Sequence, residues 1–397
     1  MPFYNEKAYA LGSNRSIIRE IFEYGKKRKS EIGTDKVYDF SLGNPSVSPP
    51  EKVIHTLKTL LSQEDQTGLH GYTSAVGDLA TRKAVADYAN KSCGAGLTPE
   101  LIYMTCGAAA SLTISLKAVL KSGEECVVFA PFFTEYKVFV ENANANLVVS
   151  LPEDKTLQID IKDFESRITE KTRAVIVNSP NNPSGVVYRE DKIIALCDIL
   201  RKKSKEYGSV IYLITDEPYR ELVYGDVKVP YLTKYYDDVI VCYSYSKALS
   251  LPGERIGYIS VSPKTKDAKE VYDAICGAGR SLGYVCAPSL FQKLIATCAD
   301  AKVDVSVYRK NRDILYDNLV AMGYDCVRPD GAFYLFVKAF EKDAVAFCEK
   351  AKKYELLLVP CDNFGVNGYV RIAYCVDEKT IINSLPAFRR LREEYLK

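Results

Sequence analysis

The stretch VIVCYSYSKALSLPGERIGYISVS, residues 239–262, places a lysine between two apolar segments. Its two ends, VIVCYS and GYISVS, are rich in β-branched and aromatic residues, as expected of buried strands. Lys247 follows the first of these segments and is framed by Ser244 and Arg255. This context distinguishes Lys247 from the solvated lysines of the chain and predicts a functional site at one edge of a sheet.

Similar apolar segments alternate with amphipathic segments through the middle of the chain. The further strand candidates are ECVVFA (125–130), NLVVSL (146–151), RAVIVN (173–178) and VIYLIT (210–215). The helix candidates lie near residues 134–144, 160–169, 190–207 and 266–278. Continuous apolar strands separated by helices predict an α/β fold with a mostly parallel sheet that is covered on both faces.

The length of 397 residues predicts more than one domain. Residues 48–290 form the predicted large α/β domain. Residues 291–397 have an α+β pattern, with short strand-like segments between longer helical ones, and predict a smaller domain. Residues 1–47 are expected to pack with this smaller domain, because VYDFSLGNPSVSPP resembles a strand that runs into an extended linker.

Composition argues against several classes of partner. The net charge of +2, from 53 basic and 51 acidic residues, is too small to attract nucleic acid or an anionic membrane electrostatically. No apolar run approaches the roughly 20 residues of a membrane span. The scattered cysteines and the absence of a secretory signal predict free thiols and a cytoplasmic protein.

Metal and nucleotide sites are also not expected. The two histidines, His55 and His70, have no Cys or Glu at ligand spacing, so we predict no metal site and assign His70 no role. Neither a G-x-x-x-x-G-K-[ST] loop nor a G-x-G-x-x-G fingerprint is present, which disfavours an unrelated nucleotide-binding α/β protein.

Chemically active side chains follow three of the predicted strands. SPNNPSG with Asn182 follows RAVIVN, DEPY with Asp216 and Tyr219 follows VIYLIT, and Lys247 follows VIVCYS. Ligands in open α/β sheets bind beyond the carboxyl ends of the strands. The sequence therefore predicts that these side chains meet in one crevice.

This set of side chains suits pyridoxal 5′-phosphate (PLP). A lysine amine forms a Schiff base with an aldehyde, and a carboxylate facing a pyridine nitrogen keeps it protonated. A phosphate group needs backbone N–H groups at a helix start, hydroxyl groups and an arginine. The candidate phosphate-binding residues are Gly107, Ala108 and Ala109 at a helix start after IYMTC, together with Ser244 and Arg255.

Several segments resemble class I aminotransferases, which belong to PLP fold type I. The motifs SYSKALSLPGERIGY (244–258), NSPNNPSG (178–185) and TDEPY (215–219) are similar in order and spacing to the lysine, asparagine-proline and aspartate-tyrosine motifs of that family. Further similar segments are SLGNP (41–45), LHGYTSAVGDLATRKAVADY (69–88) and YVRIAY (369–374). The likeness extends from about residue 35 to the end and is closest to bacterial aspartate aminotransferase-like enzymes.

The resemblance implies a fold and a reaction. It implies a large PLP-binding domain with a mostly parallel central sheet, and a smaller α+β domain built from the N- and C-terminal segments. It also implies transfer of an amino group between an L-amino acid and a 2-oxo acid, with aspartate and 2-oxoglutarate as candidate substrates. The expected assembly is a homodimer with shared active sites.

Roles for individual residues follow from the same resemblance. Lys247 would form the Schiff base and move the proton, Asp216 would pair with the pyridine nitrogen, and Asn182 and Tyr219 would contact the ring hydroxyl. Phe133 would stack on the ring. The residues implied to contact the phosphate are Gly107, Ala108, Ala109, Ser244 and Arg255, with Tyr72 from the second subunit. Those implied to bind the substrate α-carboxylate are Arg371, Asn182 and the backbone of Gly43.

Plainer readings exist for some of these residues. Asp216 could cap the following helix, and Asn182 before a proline is ordinary turn chemistry. Phe132 is equal to Phe133 on composition, and Tyr72 could be one of 29 tyrosines that pack a surface. Arg371 within a short apolar strand could form a structural ion pair.

The substrate side chain is less well defined than the cofactor. Ala109 occupies the position where one bacterial branch carries a lysine for the distal carboxylate. Arg280 and Arg15 are the candidates to replace that lysine. If neither arginine binds a distal carboxylate, the pocket would accept substrates with neutral side chains.

Other functions remain open for a chain with these motifs. The same fold and cofactor support C–S lyases, decarboxylases and aminocyclopropane-forming enzymes, since the pocket selects which bond breaks. Formation of pyruvate and ammonia without a keto-acid acceptor would identify a lyase. A non-catalytic PLP-binding regulator is disfavoured by the near-zero net charge and by the short segment before the cofactor domain.

Overall fold

The computed structural model describes residues 3–13, 16–63 and 65–396. Among these residues, no helix combines the length and apolar character that crossing a membrane would require. The elements below are numbered in chain order.

The α-helices of the described residues range from short single-turn segments to helices of five turns. They are α1 (Glu6–Ser13), α2 (Ile17–Ile32), α3 (Glu51–Leu61), α4 (Gln66–His70), α5 (Leu79–Cys93), α6 (Ala108–Val119), α7 (Glu135–Asn142), α8 (Ile161–Arg167), α9 (Glu190–Tyr207), α10 (Tyr245–Ala248), α11 (Ala268–Ser281), α12 (Ser289–Cys298), α13 (Ser306–Ala321), α14 (Ala344–Lys352) and α15 (Glu378–Glu394).

The β-strands form one large sheet, one smaller sheet and one two-stranded pair. They are β1 (Tyr38–Asp39), β2 (Ile102–Thr105), β3 (Glu125–Phe129), β4 (Asn146–Ser150), β5 (Thr172–Asn178), β6 (Tyr212–Asp216), β7 (Val239–Ser244), β8 (Gly257–Val261), β9 (Cys326–Val327), β10 (Tyr334–Lys338), β11 (Leu356–Leu357), β12 (Val359–Pro360) and β13 (Tyr369–Ala373).

The larger of two compact units contains residues Pro45–Val307 and Pro329–Ala332. Its sheet has seven strands in the order β2-β8-β7-β6-β5-β3-β4. The strands β7, β6, β5, β3 and β4 are mutually parallel, and β8 runs antiparallel to both of its neighbours. The predicted α/β class with a mostly parallel sheet is confirmed.

Helices cover both faces of this sheet, which is why the interiors of its central strands are mostly apolar. On one face, Val175 and Leu213 belong to a buried cluster with residues of α5, α9 and α12. On the other face, α6 contacts β6, β7 and β8, and Ser115 of α6 lies 3.5 Å from Cys242 of β7 between Oγ and Sγ. Every residue of β7 is buried, as expected for the centre of such a sheet.

The smaller unit contains the described residues up to Asn44, residues Tyr308–Arg328, and the described residues from Phe333 onward. Its four-stranded antiparallel sheet has the order β12-β13-β10-β9, and β1 pairs in parallel with β11. The segment LLLVP therefore serves two sheets, because β11 and β12 pair with different partners. The predicted α+β character and the inclusion of the N-terminal strand are observed.

The unit boundaries differ from the predicted domain boundaries. The sequence placed residues 291–307 in the C-terminal domain, whereas the structure has them in the larger unit. Hydrogen bonds fix α12 there: Ser289 Oγ donates to the Leu69 carbonyl at 3.0 Å, and Thr81 Oγ1 donates to the Gln292 carbonyl at 2.8 Å. The single amphipathic stretch read from the sequence is in fact two helices, α12 and α13.

Candidate active site

The carboxyl ends of the central strands meet at one edge of the large sheet. Asn178 at the end of β5 lies opposite Asp216 at the end of β6, and Asp216 lies opposite Cys242 of β7. Because β8 is reversed, its first residue, Gly257, lies opposite both Ser244 of β7 and Thr105 of β2. The strand ends predicted to deliver the active groups therefore do share one edge.

Asp216 is a buried carboxyl group with two different oxygen environments. Its side chain is 5% exposed, and Oδ2 accepts a hydrogen bond from the Tyr136 hydroxyl at 2.5 Å. Oδ1 is buried and has no hydrogen-bond partner among the described residues. Burial raises the pKa of Asp216 from 3.8 to about 7, while the Tyr136 hydrogen bond opposes this shift and the nearby Glu217 adds to it. A cation placed at Oδ1 would restore the charged form.

An aromatic pair lies beside this carboxyl group. The rings of Phe133 and Tyr136 are 5.7 Å apart and nearly perpendicular. Phe133 is half-buried, whereas Phe132 is 6% exposed and belongs to the core. The geometry therefore favours Phe133 over Phe132 as the aromatic residue available to a ligand at Asp216.

The loop after β5 is tied to the same carboxyl group through Asn178. Asn178 Nδ2 donates to the Asp216 carbonyl at 2.9 Å, and Asn178 Oδ1 accepts from the backbone N–H of Asn182 at 2.7 Å. Asn181 Nδ2 donates to the Pro131 carbonyl at 3.2 Å, which links this loop to the one after β3. Asn182 is 7% exposed and is held in place by these contacts.

Sequence reasoning gave no role to Tyr136 or Asn178. Asn178 was visible as the first residue of the motif NSPNNPSG, so its position at the strand end was a usable signal. Tyr136 gave no such signal, since the chain contains 29 tyrosines and only the tertiary fold brings this one to Asp216.

Lys247 lies in the short helix α10, which begins immediately after β7. The Ser244 side chain caps this helix by accepting from the Ser246 backbone N–H at 3.2 Å, and the two serine hydroxyl oxygens are 2.7 Å apart. Lys247 is half-buried, and Tyr219, in the turn after β6, is 5% exposed.

Gly107 and Arg255 form a compact cradle at the start of α6. Gly107 has φ of 87° and precedes the first helical residue, so backbone N–H groups at this end are open to an anion. A Cβ at Gly107 would lie 2.8 Å from Arg255 Nη2, which shows how closely the guanidinium approaches the backbone. Arg255 Nη1 donates to the Pro252 carbonyl at 3.0 Å and to Ser246 Oγ at 3.4 Å. Ala108 and Ala109 form the first turn of α6.

The turn after β6 is fixed by a buried ion pair. Arg220 and Glu217 are both nearly inaccessible to solvent, and the Arg220 guanidinium contacts the Glu217 carboxylate through two nitrogens. Thr215 Oγ1 also donates to Glu217 Oε1 at 2.8 Å. Sequence reasoning used Glu217 only as a neighbour of Asp216, and the pair holds the segment that carries Asp216 and Tyr219.

A second group of predicted residues lies within the smaller unit. Arg371 is 2% exposed, and its Nη2 donates to the Ser41 carbonyl at 2.6 Å. Its guanidinium carbon is 4.7 Å from the centre of the Tyr334 ring. A Cβ at Gly43 would overlap the Tyr334 hydroxyl, so the chain can pass Tyr334 only without a side chain at this position. The structure therefore brings Arg371 and Gly43 together around Tyr334.

The remaining predicted residues are exposed or outside the described part of the chain. Tyr72 has a side chain that is 99% exposed. Arg280 is exposed on the last turn of α11. Arg15 lies outside the described residues. No group of three or more His, Cys, Asp and Glu side chains within the described ranges could hold a metal ion.

The larger-unit site fits the cofactor predicted from the sequence. A protonated pyridine nitrogen requires a buried carboxylate with a free oxygen, which Oδ1 of Asp216 provides. A phosphate group requires helix N–H groups, hydroxyls and a guanidinium, which are grouped around Gly107, Ser244 and Arg255.

Comparison with known proteins gives consistent results. The family model described as aminotransferase class I and II matches residues 35–387. A solved aminotransferase structure from Eubacterium rectale is 54% identical, covers 100% of both chains and has a TM-score of 0.98. The chain is 28% identical to an aspartate aminotransferase from Thermotoga maritima, over 93% of this chain and 95% of that one. It is 30% identical to a probable aspartate/prephenate aminotransferase from Thermus aquaticus, over 87% and 89% of the two chains.

Proposed function

Because this chain belongs to the class I and II aminotransferase family, we propose that its amino-group transfer takes place around Lys247 at the carboxyl edge of the large sheet. The protein is a PLP-dependent aminotransferase that acts on an L-amino acid and a 2-oxo acid. The observation that carries the location is the buried Asp216 carboxyl group, whose Oδ1 has no partner in the described part of the chain. It lies one strand away from the segment that carries Lys247.

Each part of the cofactor has a proposed set of residues. Asp216 would hold the pyridine nitrogen, Asn182 and Tyr219 would hold the ring hydroxyl, and Phe133 would pack on the ring. The proposed phosphate-binding residues are Gly107, Ala108, Ala109, Ser244 and Arg255, with Tyr72 contributed by a second copy of the chain. When bound, PLP draws electrons away from the substrate α-carbon.

Lys247 has two proposed tasks. Its amine would hold the cofactor covalently, and the same amine, once free, would accept the proton that leaves the substrate α-carbon. Its position in a short helix capped by Ser244 restricts the backbone from which the amine extends. This arrangement supports a fixed path for the proton.

An absorbance titration tests these assignments directly. We expect the purified protein to show a visible band from its bound cofactor, and the band to be lost when the correct amino acid is added. Lys247→Ala should lose this band and at least about a thousandfold in kcat, while retaining some cofactor through the phosphate contacts. Lys264→Ala, a change at an exposed lysine beyond the opposite end of β8, serves as the control. A Lys247→Ala protein that kept both the visible band and its activity would exclude Lys247.

The substrate α-carboxylate is proposed to bind Arg371, with Asn182 and the backbone of Gly43 as further contacts. The planar guanidinium can present two N–H groups to the two carboxylate oxygens. Stacking on Tyr334 and the hydrogen bond to Ser41 hold Arg371 in one orientation, which supports a binding role rather than a solvated charge.

We further propose aspartate and 2-oxoglutarate as substrates, since relatives are named aspartate and aspartate/prephenate aminotransferases. Ala109 at the start of α6 cannot bind a distal carboxylate, so a cation from elsewhere is needed. Arg280 and Arg15 are the candidates, and the exposure of Arg280 leaves its guanidinium available.

Replacing each candidate arginine by alanine tests this substrate assignment. The variant that removes the correct arginine should lose about a hundredfold in kcat/KM for aspartate, because a charge-assisted pair is lost. The value for alanine as donor should remain within about threefold of the original. An unchanged preference for aspartate over alanine in both variants would rule out both residues.

The proposed assembly is a homodimer. A homodimer would allow the exposed Tyr72 of one chain to reach the cofactor phosphate of the other. The cytoplasmic location remains a prediction from the sequence.

A further inference from the structure

The larger unit contains a further cleft, whose lining includes Arg220 of the turn described above. It has a volume of about 640 Å³ and lies among α5, the turn after β6 and residues 228–235. This volume falls within the roughly 300–1,000 Å³ range of small-molecule sites. The residues that define this "lysine cleft" are Tyr88, Arg220, Glu221, Tyr231, Lys228, Lys234 and Lys302.

The rim of the lysine cleft carries an excess of positive charge. Lys228, Lys234 and Lys302 are exposed, and none of them forms an ion pair with another described residue. The rim carboxylate, Glu190, instead accepts a hydrogen bond from the Tyr235 hydroxyl. The three ammonium groups are therefore available to an anion.

Arg220 does not add to this available charge. Its guanidinium pairs with Glu217, and Nη1 donates to the Val229 carbonyl at 3.3 Å. It also lies 4.5 Å from the centre of the Tyr231 ring. Arg220 thus forms part of the cleft surface and packs against the Tyr231 ring.

Two polar atoms buried beneath the floor of the cleft have no hydrogen-bond partner among the described residues. Tyr231 is 3% exposed, and neither its hydroxyl nor Oε2 of Glu221 has a hydrogen-bond partner within the described ranges. Burial raises the pKa of Glu221, although a hydrogen bond with Tyr243 and the charge of Arg220 oppose this shift, and burial therefore favours the protonated carboxyl group. Buried polar atoms of this kind normally find a partner, so a ligand with hydroxyl groups would complete the floor.

We propose that the lysine cleft binds a small phosphate monoester that also carries hydroxyl groups. The phosphate dianion is held by the three lysines, which act as point charges around it. The hydroxyl groups of the ligand bond to Glu221 and Tyr231. A monocarboxylate would use less of the positive charge, and an apolar ligand would leave the two floor atoms unsatisfied.

Calorimetric titration of the PLP-loaded protein tests this site, since bound PLP occupies the other phosphate cradle. Ribose 5-phosphate should bind once per chain, and inorganic phosphate should bind more weakly. The triple variant Lys228→Ala, Lys234→Ala, Lys302→Ala should weaken ribose 5-phosphate binding by at least about tenfold. The matched control is the triple variant Lys162→Ala, Lys171→Ala, Lys264→Ala, at exposed lysines elsewhere. Both triple variants should keep the transaminase activity.

The floor is tested separately by Glu221→Gln and Tyr231→Phe. Each should weaken ribose 5-phosphate binding while leaving inorganic phosphate binding unchanged, because only the sugar reaches these groups. Absence of ribose 5-phosphate binding, or equal weakening by the two triple variants, would overturn the proposal. Equal affinity for ribose 5-phosphate and inorganic phosphate would also overturn it.

Discussion

Asp216 shows how burial and a single hydrogen bond set the chemistry of one residue. Its Oδ2 is engaged by the Tyr136 hydroxyl, and its Oδ1 is buried without a partner in the described part of the chain. In the protein without cofactor, this arrangement makes the charged carboxylate costly. Under the proposed function, a pyridinium at Oδ1 would remove that cost, and the carboxyl environment would thereby contribute to the affinity for the cofactor.

The stability of the cofactor-free protein should reflect this cost. Because the pKa of Asp216 rises from 3.8 in the unfolded chain to about 7 in the folded protein, its contribution to stability is fully present below pH 3.8. It is lost as the pH rises through about 7. An asparagine at this position cannot ionise, so the Asp216→Asn variant should gain stability relative to the original protein as the pH rises. The difference between their free energies of unfolding should shift by about 2–3 kcal/mol in favour of the variant from pH 5 to pH 8.

Urea unfolding of both proteins at the two pH values measures this difference. The same comparison for Asp154→Asn, at an exposed carboxylate outside the site, provides the control for the loss of a carboxyl group. A pH-independent difference for Asp216→Asn would show that Asp216 titrates as an ordinary carboxyl group.

At the scale of elements, the cradle at α6 depends on how closely two chain segments approach. Gly257 at the start of β8 packs against the Gly107 backbone. If Gly257 carried a Cβ atom, that atom would lie 3.0 Å from the Gly107 Cα. The Arg255 guanidinium contacts the other side of Gly107. The motif order in the sequence predicted both glycine and arginine, but not that the two would be in contact.

Alanine substitutions at Gly107 and Gly123 distinguish the effect of the Arg255 contact from the effect of backbone strain. Gly107 and Gly123 have nearly equal φ values of 87° and 84°, but a Cβ at Gly123 would meet no atom within 4 Å. Both alanine variants should lose about 1 kcal/mol or more of stability from the positive φ. Only Gly107→Ala should also weaken PLP binding, by about tenfold or more, because the methyl group displaces Arg255.

Equilibrium dialysis with PLP measures the affinities, and thermal unfolding measures the stabilities. If Gly123→Ala weakened PLP binding as much as Gly107→Ala, backbone strain alone would explain the loss, and the proposed cradle would be wrong.

At the scale of the whole molecule, the exposed side chain of Tyr72 has no packing partner among the described residues of a single chain. Tyr72 is almost fully exposed, although tyrosine side chains usually cover their rings. The proposed dimer supplies a partner for it. Gly43 and Arg371 both pack against Tyr334 within the smaller unit, and this group is the proposed binding site of the substrate carboxylate.

A dimer with shared sites makes two measurable predictions. Sedimentation equilibrium should give twice the mass of one chain. Tyr72→Phe should weaken PLP binding several-fold through loss of one phosphate hydrogen bond, without changing that mass. The exposed Tyr9→Phe serves as the control. A monomeric protein with full activity would contradict the shared site.

The sequence by itself determined the fold class and the strand ends at which the candidate groups of the site lie. Apolar segments separated by helices specify a parallel sheet, and the positions of Asn182, Asp216 and Lys247 at strand ends follow from that topology alone. These features depend on local periodicity and on chain order, which a sequence records directly.

Only the tertiary structure decided which neighbours these groups meet. It brought Tyr136 to Asp216, distinguished the half-buried Phe133 from the core residue Phe132, and placed α12 in the larger unit. It also brought Lys302 and Tyr88 to the cleft that Glu221, Lys228, Tyr231 and Lys234 line. Such contacts join residues whose separation along the chain has no regular period, so no sequence pattern encodes them.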